Sequence, residues 1–419
     1  MRILVYPHDL AIGGSQINAI DLAAGVAKAG HDVVVYGIPG PLVEYIHERG
    51  LRFVPARRLR YRPAISRIIQ LAAIARRERL DLIHAYEWPP CLDSYYGAGL
   101  VLGVPLVCTV LGMTVMPYIP ASVPLIMGTE DLGDAARRVQ RSDVWVLEPP
   151  IDVVRDHPGI DGSEFRRAHG VGSDELLVVS VSRLAVDLKL DALVRAIDAA
   201  GQLAGRFPLR LLLVGDGPAR GALLERAESV NRLCGREVVT LPGPELDPRS
   251  AYAAADVVVG MGSSALRALS IGKPVIVQGE QAFSEVFRPT TLDMFLRQGF
   301  YGLADGAPGV ARLAGQLAEL LENAELRASL GQFGRKVVSE RFSLDRAVGI
   351  LLEIYERVLI NPLSRHVPDA LRSAGQALML ESQNHSPSRK RERQAREREL
   401  FAAASKGPWP PISSADHGP

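Results

Sequence analysis

Residues 176–204 read LLVVSVSRLAVDLKLDALVRAIDAAGQLA, and the change of period inside this stretch decides the fold. Residues 176–181 are short, valine-rich and apolar on both parities, the pattern of a parallel strand buried on both faces. From 190 to 204 the apolar residues return at helical spacing. The same alternation runs outward in both directions. It predicts strands at 3–6, 32–36, 80–84, 106–110, 125–127 and 144–147, and again at 209–214, 238–241, 256–259 and 274–277. Helical stretches such as 15–29 lie between them. Repeated strand-then-helix units imply an α/β fold with doubly wound parallel sheets and right-handed crossovers.

The 419 residues, 47% hydrophobic and 23% charged, supply enough apolar material for two cores. Basic residues number 48 against 47 acidic, so no global basic field argues for nucleic acid as a partner. Cys91, Cys108 and Cys234 are too few and too scattered for a disulfide framework or a zinc cluster, and read as thiols in a reducing compartment. The apolar start, MRILVYPHDL, ends too soon for a signal peptide. The longest uncharged stretch, 94–128, is cut by Pro105, Pro117, Pro120 and Pro124 and reads as short strands and turns rather than a membrane helix. A soluble, cytoplasmic protein is the expectation. Prolines, glycines and acids without period at 148–173 mark a boundary, giving domains at 1–160 and 161–342. A last helix follows at 343–360. Residues 361–419, with 9 basic and 6 acidic residues, read as a charged, proline-rich tail, mostly disordered, with transient helix over 389–404.

In doubly wound sheets ligands bind beyond the carboxyl ends of the strands. The first such loop holds His8, Asp9, Gly13, Gly14 and Ser15. Its glycine pair suits either a tight turn capped by Ser15 or an anion held on a helix N-terminus. His8 is a polar site candidate or a satisfied loop histidine. A second glycine-rich turn, Gly260-Met261-Gly262-Ser263-Ser264, leads into a helix at 265–271 and offers backbone N–H groups with two hydroxyls. Neither turn is a Walker loop or a GxGxxG, so ATP and nicotinamide have little support. Arg183 and Lys189 follow the strand 176–181, where two cations suit a diphosphate or simply flank a helix start. In VGDGP, residues 214–218, Gly215 and Gly217 give backbone room and Asp216 a polar edge.

Taken in order, GGSQINAIDLAAGVAKAGHDV, LDLIHAYEW, SVSRLAVDLK, LLLVGDGP, YAAADVVV and SALRALSIGKPVIV resemble glycosyltransferase family 4 over residues 1 to about 360. The resemblance implies a GT-B fold, two Rossmann-like domains facing across a cleft, with the last helix of 343–360 packed back on the first. It implies a retaining glycosyltransferase with a nucleotide-sugar donor as co-substrate and no metal. The donor would bind mainly the C-terminal domain and the acceptor mainly the N-terminal one. Arg183 and Lys189 would grip the donor diphosphate, although they stand six positions apart where the family has five, and Leu190 replaces a glycine. The family's Glu-x7-Glu motif maps onto Val259 and Arg267, so both acids are missing. Gly260–Ser264 backbone groups, including Gly262, Ser263 and Ser264, would then hold phosphate and sugar, with Arg267 on the ribose side and Glu280 or Glu285 as spare carboxylates. Leu111 stands where the family has a histidine two positions after Thr109, and Pro149-Pro150-Ile151-Asp152 keeps only the aspartate of the linker motif. His84 matches the family's DLIHA histidine, either an acceptor-side group or a buried structural one.

Loss of both acids raises a rival, a catalytically silent GT-B protein that binds nucleotide or sugar or partners an active enzyme. A nucleotide-sugar epimerase is a third, less favoured option. Finally, residues 57–80 carry eight arginines, with Ile65, Ile68, Ile69, Ala72 and Ala75 on one helical face. Peripheral contact with anionic lipid is thereby weighed against an ordinary packed helix, and the packed helix is favoured.

Overall fold

The computed structural model describes residues 1–58, 64–112, 115–139, 143–304, 306, 308–360, 367–384, 386, 389 and 392. They form two units by internal contact: Met1–Arg155 with Leu292–Gly299 and Lys336–Arg389, and Asp156–Thr291 with Phe300–Arg335.

In the first unit, strands β1 (Arg2–Tyr6), β2 (Asp32–Gly37), β3 (Arg52–Pro55), β4 (Leu82–Tyr86), β5 (Leu106–Val110), β6 (Leu125–Met127) and β7 (Val144–Val146) make one parallel sheet. Its order is β3-β2-β1-β4-β5-β6-β7, so the chain reverses direction across the sheet between β1 and β4. Every residue of β4 and β5 is buried, as the unbroken apolar runs require. The helix Gly14–Lys28 covers one face together with Leu344–Ile360; Gly25 is pressed on Val348, with no room for a β-carbon. Val348, Leu351, Ile354, Tyr355 and Val358 share one apolar cluster with Ile3, Val5, Ala19 and Ile20.

The second unit holds β8 (Leu176–Val181), β9 (Leu209–Val214), β10 (Val239–Gly243), β11 (Val257–Gly260), β12 (Val275–Gln278) and β13 (Ser284–Val286) in the order β10-β9-β8-β11-β12-β13. Only β13 runs antiparallel, pairing Glu285 with Val277. The reversal of strand order falls between β8 and β11. The helix Leu190–Leu203 turns Leu190, Leu193, Ala196 and Ile197 into the core that Leu209, Leu211 and Leu213 fill from the sheet.

Two expectations fail, and the reading of the tail is narrowed. Residues 94–102 are helical, continuing the helix Trp88–Ser94 as wide turns at Tyr95–Gly99 and then Leu100–Leu102. Pro89 and Pro90 sit in the first turn, where no intrahelical N–H is needed, and Gly97 lies where a Cβ would come 2.7 Å from the Ile68 carbonyl oxygen. Residues 361–419 are not all unstructured, because Val367–Asn384 is a helix docked on the first unit. Asp369 accepts the backbone N–H and the hydroxyl of Ser122, both at 2.8 Å, and Ser373 donates to the Tyr118 carbonyl at 2.5 Å. The transient helix expected at 389–404 lies almost wholly outside the described residues. The helix Ile65–Glu78 is also turned from its expected orientation. It buries Arg67, Leu71, Ile74 and Ala75 and leaves Ile65 and Ile69 65% and 64% exposed. Arg67 goes inside because Asp93, 3.6 Å away, and the carbonyl of Arg57, 2.8 Å away, meet its guanidinium. Arg60 and Arg62 lie outside the described residues. No described helix is long and apolar enough to cross a membrane.

Candidate active site

At each reversal of strand order, loops leave the carboxyl ends in opposite directions and open a crevice. In the first unit the loops after β1, β4 and β5 meet there. They line a cavity of about 310 Å³, to which His8, Ser15, Gln16 and Glu87 bring polar groups and Trp88, Val110, Met116 and Ile119 apolar ones. His8 and Glu87 both adopt positive φ, 62° and 65°, a conformation that costs non-glycine residues energy and gathers at functional sites. His8 faces Asp9 at 3.5 Å, and this contact does most to hold the Asp9 carboxyl below its usual range. Gln16 adds a bond to Asp9 at 3.3 Å. Glu87 bends the chain out of β4 and turns back to accept the backbone N–H groups of Leu111 and Gly112, at 2.9 and 3.1 Å. Burial raises its pKa, and those two bonds oppose the rise.

The helix Gly14–Lys28 begins two residues earlier than a Ser15 cap would require. Gly13 is its N-cap, in an extended conformation open to any residue (φ −165°). His84 is absent from the cavity lining. It is fully buried, with Nδ1 2.7 Å from the Tyr355 hydroxyl and Nε2 2.7 Å from Thr109 Oγ1, and stacks on Tyr86. Burial lowers its pKa to about 3, so it stays neutral. Its structural role is the one the geometry supports. Asp152 likewise serves structure, pairing with Arg49 at 3.1 Å.

In the second unit Arg183 and Lys189 follow β8. Arg183 is exposed, Lys189 is partly buried, and among the described residues neither has an ion-pair partner. Desolvation, reinforced by the charge of Arg183, brings the Lys189 pKa down to about 8. Two like charges close together, with no ion pair to either among the described residues, form a site short of an anion. The wider spacing between them is taken up by Leu188, at φ 66°, and Leu190 is buried as the first residue of its helix.

The loop after β9 supports this one. Gly215 and Gly217 lie against the carbonyls of Ser182 and Leu184, so their room is occupied by the neighbouring loop. Leu184 donates its N–H to Asp216 and receives one from Ala219, both at 2.9 Å. The Asp216 side chain pairs loosely with Arg220 at 3.8 Å.

After β11, Gly262 caps the helix Ser263–Ser270 at φ 60° and gives its own N–H to Phe300 at 2.6 Å. Ser264 is committed: its hydroxyl accepts from Tyr252 and donates to the Val181 carbonyl at 2.8 Å. Ser263 keeps a hydroxyl with no described partner. Arg267 differs from its expected role, since its guanidinium lies 3.6 Å from the buried carboxylate of Asp156. Glu280, after β12, accepts the Tyr301 hydroxyl, and Glu285 on β13 accepts the N–H of Val286.

Residues 12–124 match the model of Glycosyltransferase Family 4, and residues 175–323 match that of Glycosyl transferases group 1, together more than half of the chain. Two doubly wound parallel-sheet units, shared with solved glycosyltransferase structures, make a GT-B fold. The two matches, one in each half of the chain, support a glycosyltransferase of the family 4 type. N-acetyl-alpha-D-glucosaminyl L-malate synthase of Bacillus anthracis is 23% identical over 85% of this chain and 96% of its own length. D-inositol 3-phosphate glycosyltransferase of Rhodococcus erythropolis is 27% identical over 57% of this chain and 54% of its own. Among solved structures, Anabaena HepE in complex with UDP superposes with a TM-score of 0.67 at 17% identity, covering 85% of this chain and all of that one.

Proposed function

We propose that this glycosyltransferase takes its sugar from a nucleoside-diphosphate donor and delivers it with retained anomeric configuration. The observation that carries the proposal is the Arg183–Lys189 pair, two cations at the carboxyl end of β8, neither of them in an ion pair among the described residues. As the bond from the anomeric carbon to the diphosphate breaks, charge develops on the leaving oxygen, and these cations meet it. A bond forms from the anomeric carbon to the acceptor hydroxyl, whose proton passes to the departing diphosphate. The first turn of the helix Ser263–Ser270, with Ser263, adds donors for phosphate or sugar. No metal ion is invoked, because the cations supply the charge.

Anabaena HepE has been solved with UDP, with UDP and glucose, and with UDP-glucose, which supports a uridine diphosphate sugar as the first donor to try. The cavity at β1, β4 and β5 is proposed as the acceptor side. Two relatives carry anions in their names, L-malate and D-inositol 3-phosphate. A thermal-shift screen of nucleotide-sugars, followed by release of nucleoside diphosphate with and without acceptors, tests the proposal. A true donor raises the melting temperature by mass action. A protein stabilised by no nucleotide-sugar and hydrolysing none would refute it.

A further inference from the structure

The cavity of the first unit also constrains what an acceptor can carry. Among the described residues its lining holds one carboxylate, Glu87, and no lysine or arginine. That carboxylate is fixed through Oε1 by the N–H groups of Leu111 and Gly112, and among the described residues no hydrogen bond reaches Oε2. The basic group on the lining is His8, already engaged by Asp9 at 3.5 Å. A carboxylate oxygen held still in a partly desolvated wall accepts hydrogen bonds from hydroxyls and opposes phosphate or carboxylate. The apolar part of the lining, with Trp88, Val110 and Met116, suits the C–H face of a ring.

We infer that Glu87 sets acceptor specificity, and that the acceptor is an uncharged polyhydroxylated ring rather than a phosphorylated or carboxylated one. Its hydroxyls sit on Glu87 and its C–H face on Trp88. The inference rests on the transfer reading for the word acceptor, while the binding it asserts does not require transfer.

Saturation-transfer NMR on the full chain, without donor, tests it with matched pairs: myo-inositol and its monophosphate, glucose and glucose 6-phosphate. The neutral member of each pair should bind at least roughly tenfold more tightly, since apposed like charges cost more than one decade of affinity. Glu87→Gln should weaken neutral binding and narrow the gap, and Glu87→Lys should reverse the preference. Tighter binding of the phosphorylated members, equal binding, binding of neither, or an unchanged preference in Glu87→Gln would each overturn the inference. The donor-free readout separates the two proposals. Polyol binding without any turnover of nucleotide-sugars refutes transfer and keeps Glu87 in place. Transfer to phosphorylated acceptors does the opposite.

Discussion

Gly215 lies so close to the carbonyl oxygen of Ser182 that no β-carbon fits between them, and its φ of 148° is one that side chains avoid. The contact locks the loop after β9 to the loop that carries Arg183. Gly215→Ala should therefore cost roughly 2–4 kcal/mol, combining overpacking with backbone strain. Thermal or urea unfolding measures this. The variant should also bind nucleoside diphosphate more weakly, and unchanged stability would show that the two loops move apart easily.

Arg183→Ala and Lys189→Ala should each cost roughly 2–4 kcal/mol of transition-state stabilisation, because each removes a charge from the leaving group. Melting temperature should hardly fall, since neither side chain has a described carboxylate partner to abandon. Steady-state kinetics on both variants are the check, and near-normal turnover in both would move the donor elsewhere.

Lys189 adds a pH signature. With a pKa near 8 in the free protein, it carries its charge below pH 8 and loses it above. Diphosphate affinity should fall as pH rises past about 8, and Lys189→Arg should flatten the profile. The sign for folding is the reverse: an unfolded lysine holds its proton to higher pH, so stability should rise between pH 8 and the ordinary lysine range near 10.4. Calorimetric titration of UDP across pH 6.5–9.5 reads the first effect, taking the span from the pKa values concerned.

Arg267→Glu should act on folding first. The new carboxylate would meet the buried Asp156 that Arg267 now neutralises at 3.6 Å. A loss of up to about 3–5 kcal/mol is expected when one partner of a buried pair is replaced by a like charge, less what Arg335, which also faces Asp156, still supplies. Stability comparable to the parent, with weakened UDP binding, would instead return Arg267 to the nucleotide.

The exposed Ile65 and Ile69 share their helix with Arg76 and Arg77, which are exposed in its last turn. Contact with lipid through so few apolar groups should depend on charge. With the packed helix favoured, no pelleting is the expected outcome; co-sedimentation with anionic vesicles at low salt, reversed by added salt and absent with neutral vesicles, would instead establish lipid contact. Ile65→Asp with Ile69→Asp should abolish it. Failure to pellet with anionic vesicles at low salt removes the idea.

The strands were the legible part of this molecule, because burial on both faces writes an apolar run that needs no partner to be recognised. Two strands escape that reading. Arg52–Pro55 opens on an arginine and closes on a proline, and Ser284–Val286 is a three-residue edge. The rule of carboxyl ends led to Arg183, Lys189 and His8 directly. Glu87 escaped it although it stands at the end of LDLIHAYEW, because its significance depends on a left-handed turn that no period announces. Ser264 and Arg267 were legible as positions but not as contacts. Their partners, Tyr252 and Asp156, are 12 and 111 positions away in the chain. Helix orientation was least accessible, since an arginine facing inward at 67 has to find Asp93 before burial is tolerable.

The docked helix Val367–Asn384 bears on how the gene could be trimmed. A stop codon after Ile360 keeps every strand of both sheets, yet it deletes Asp369 and Ser373, the groups that tie down Ser122 and Tyr118. Those two residues flank Ile119, which lines the cavity. Such a shortened product would fold and pass a spectroscopic check for secondary structure while its acceptor wall was left loose. The deletion would then be mistaken for evidence that the enzyme has no activity.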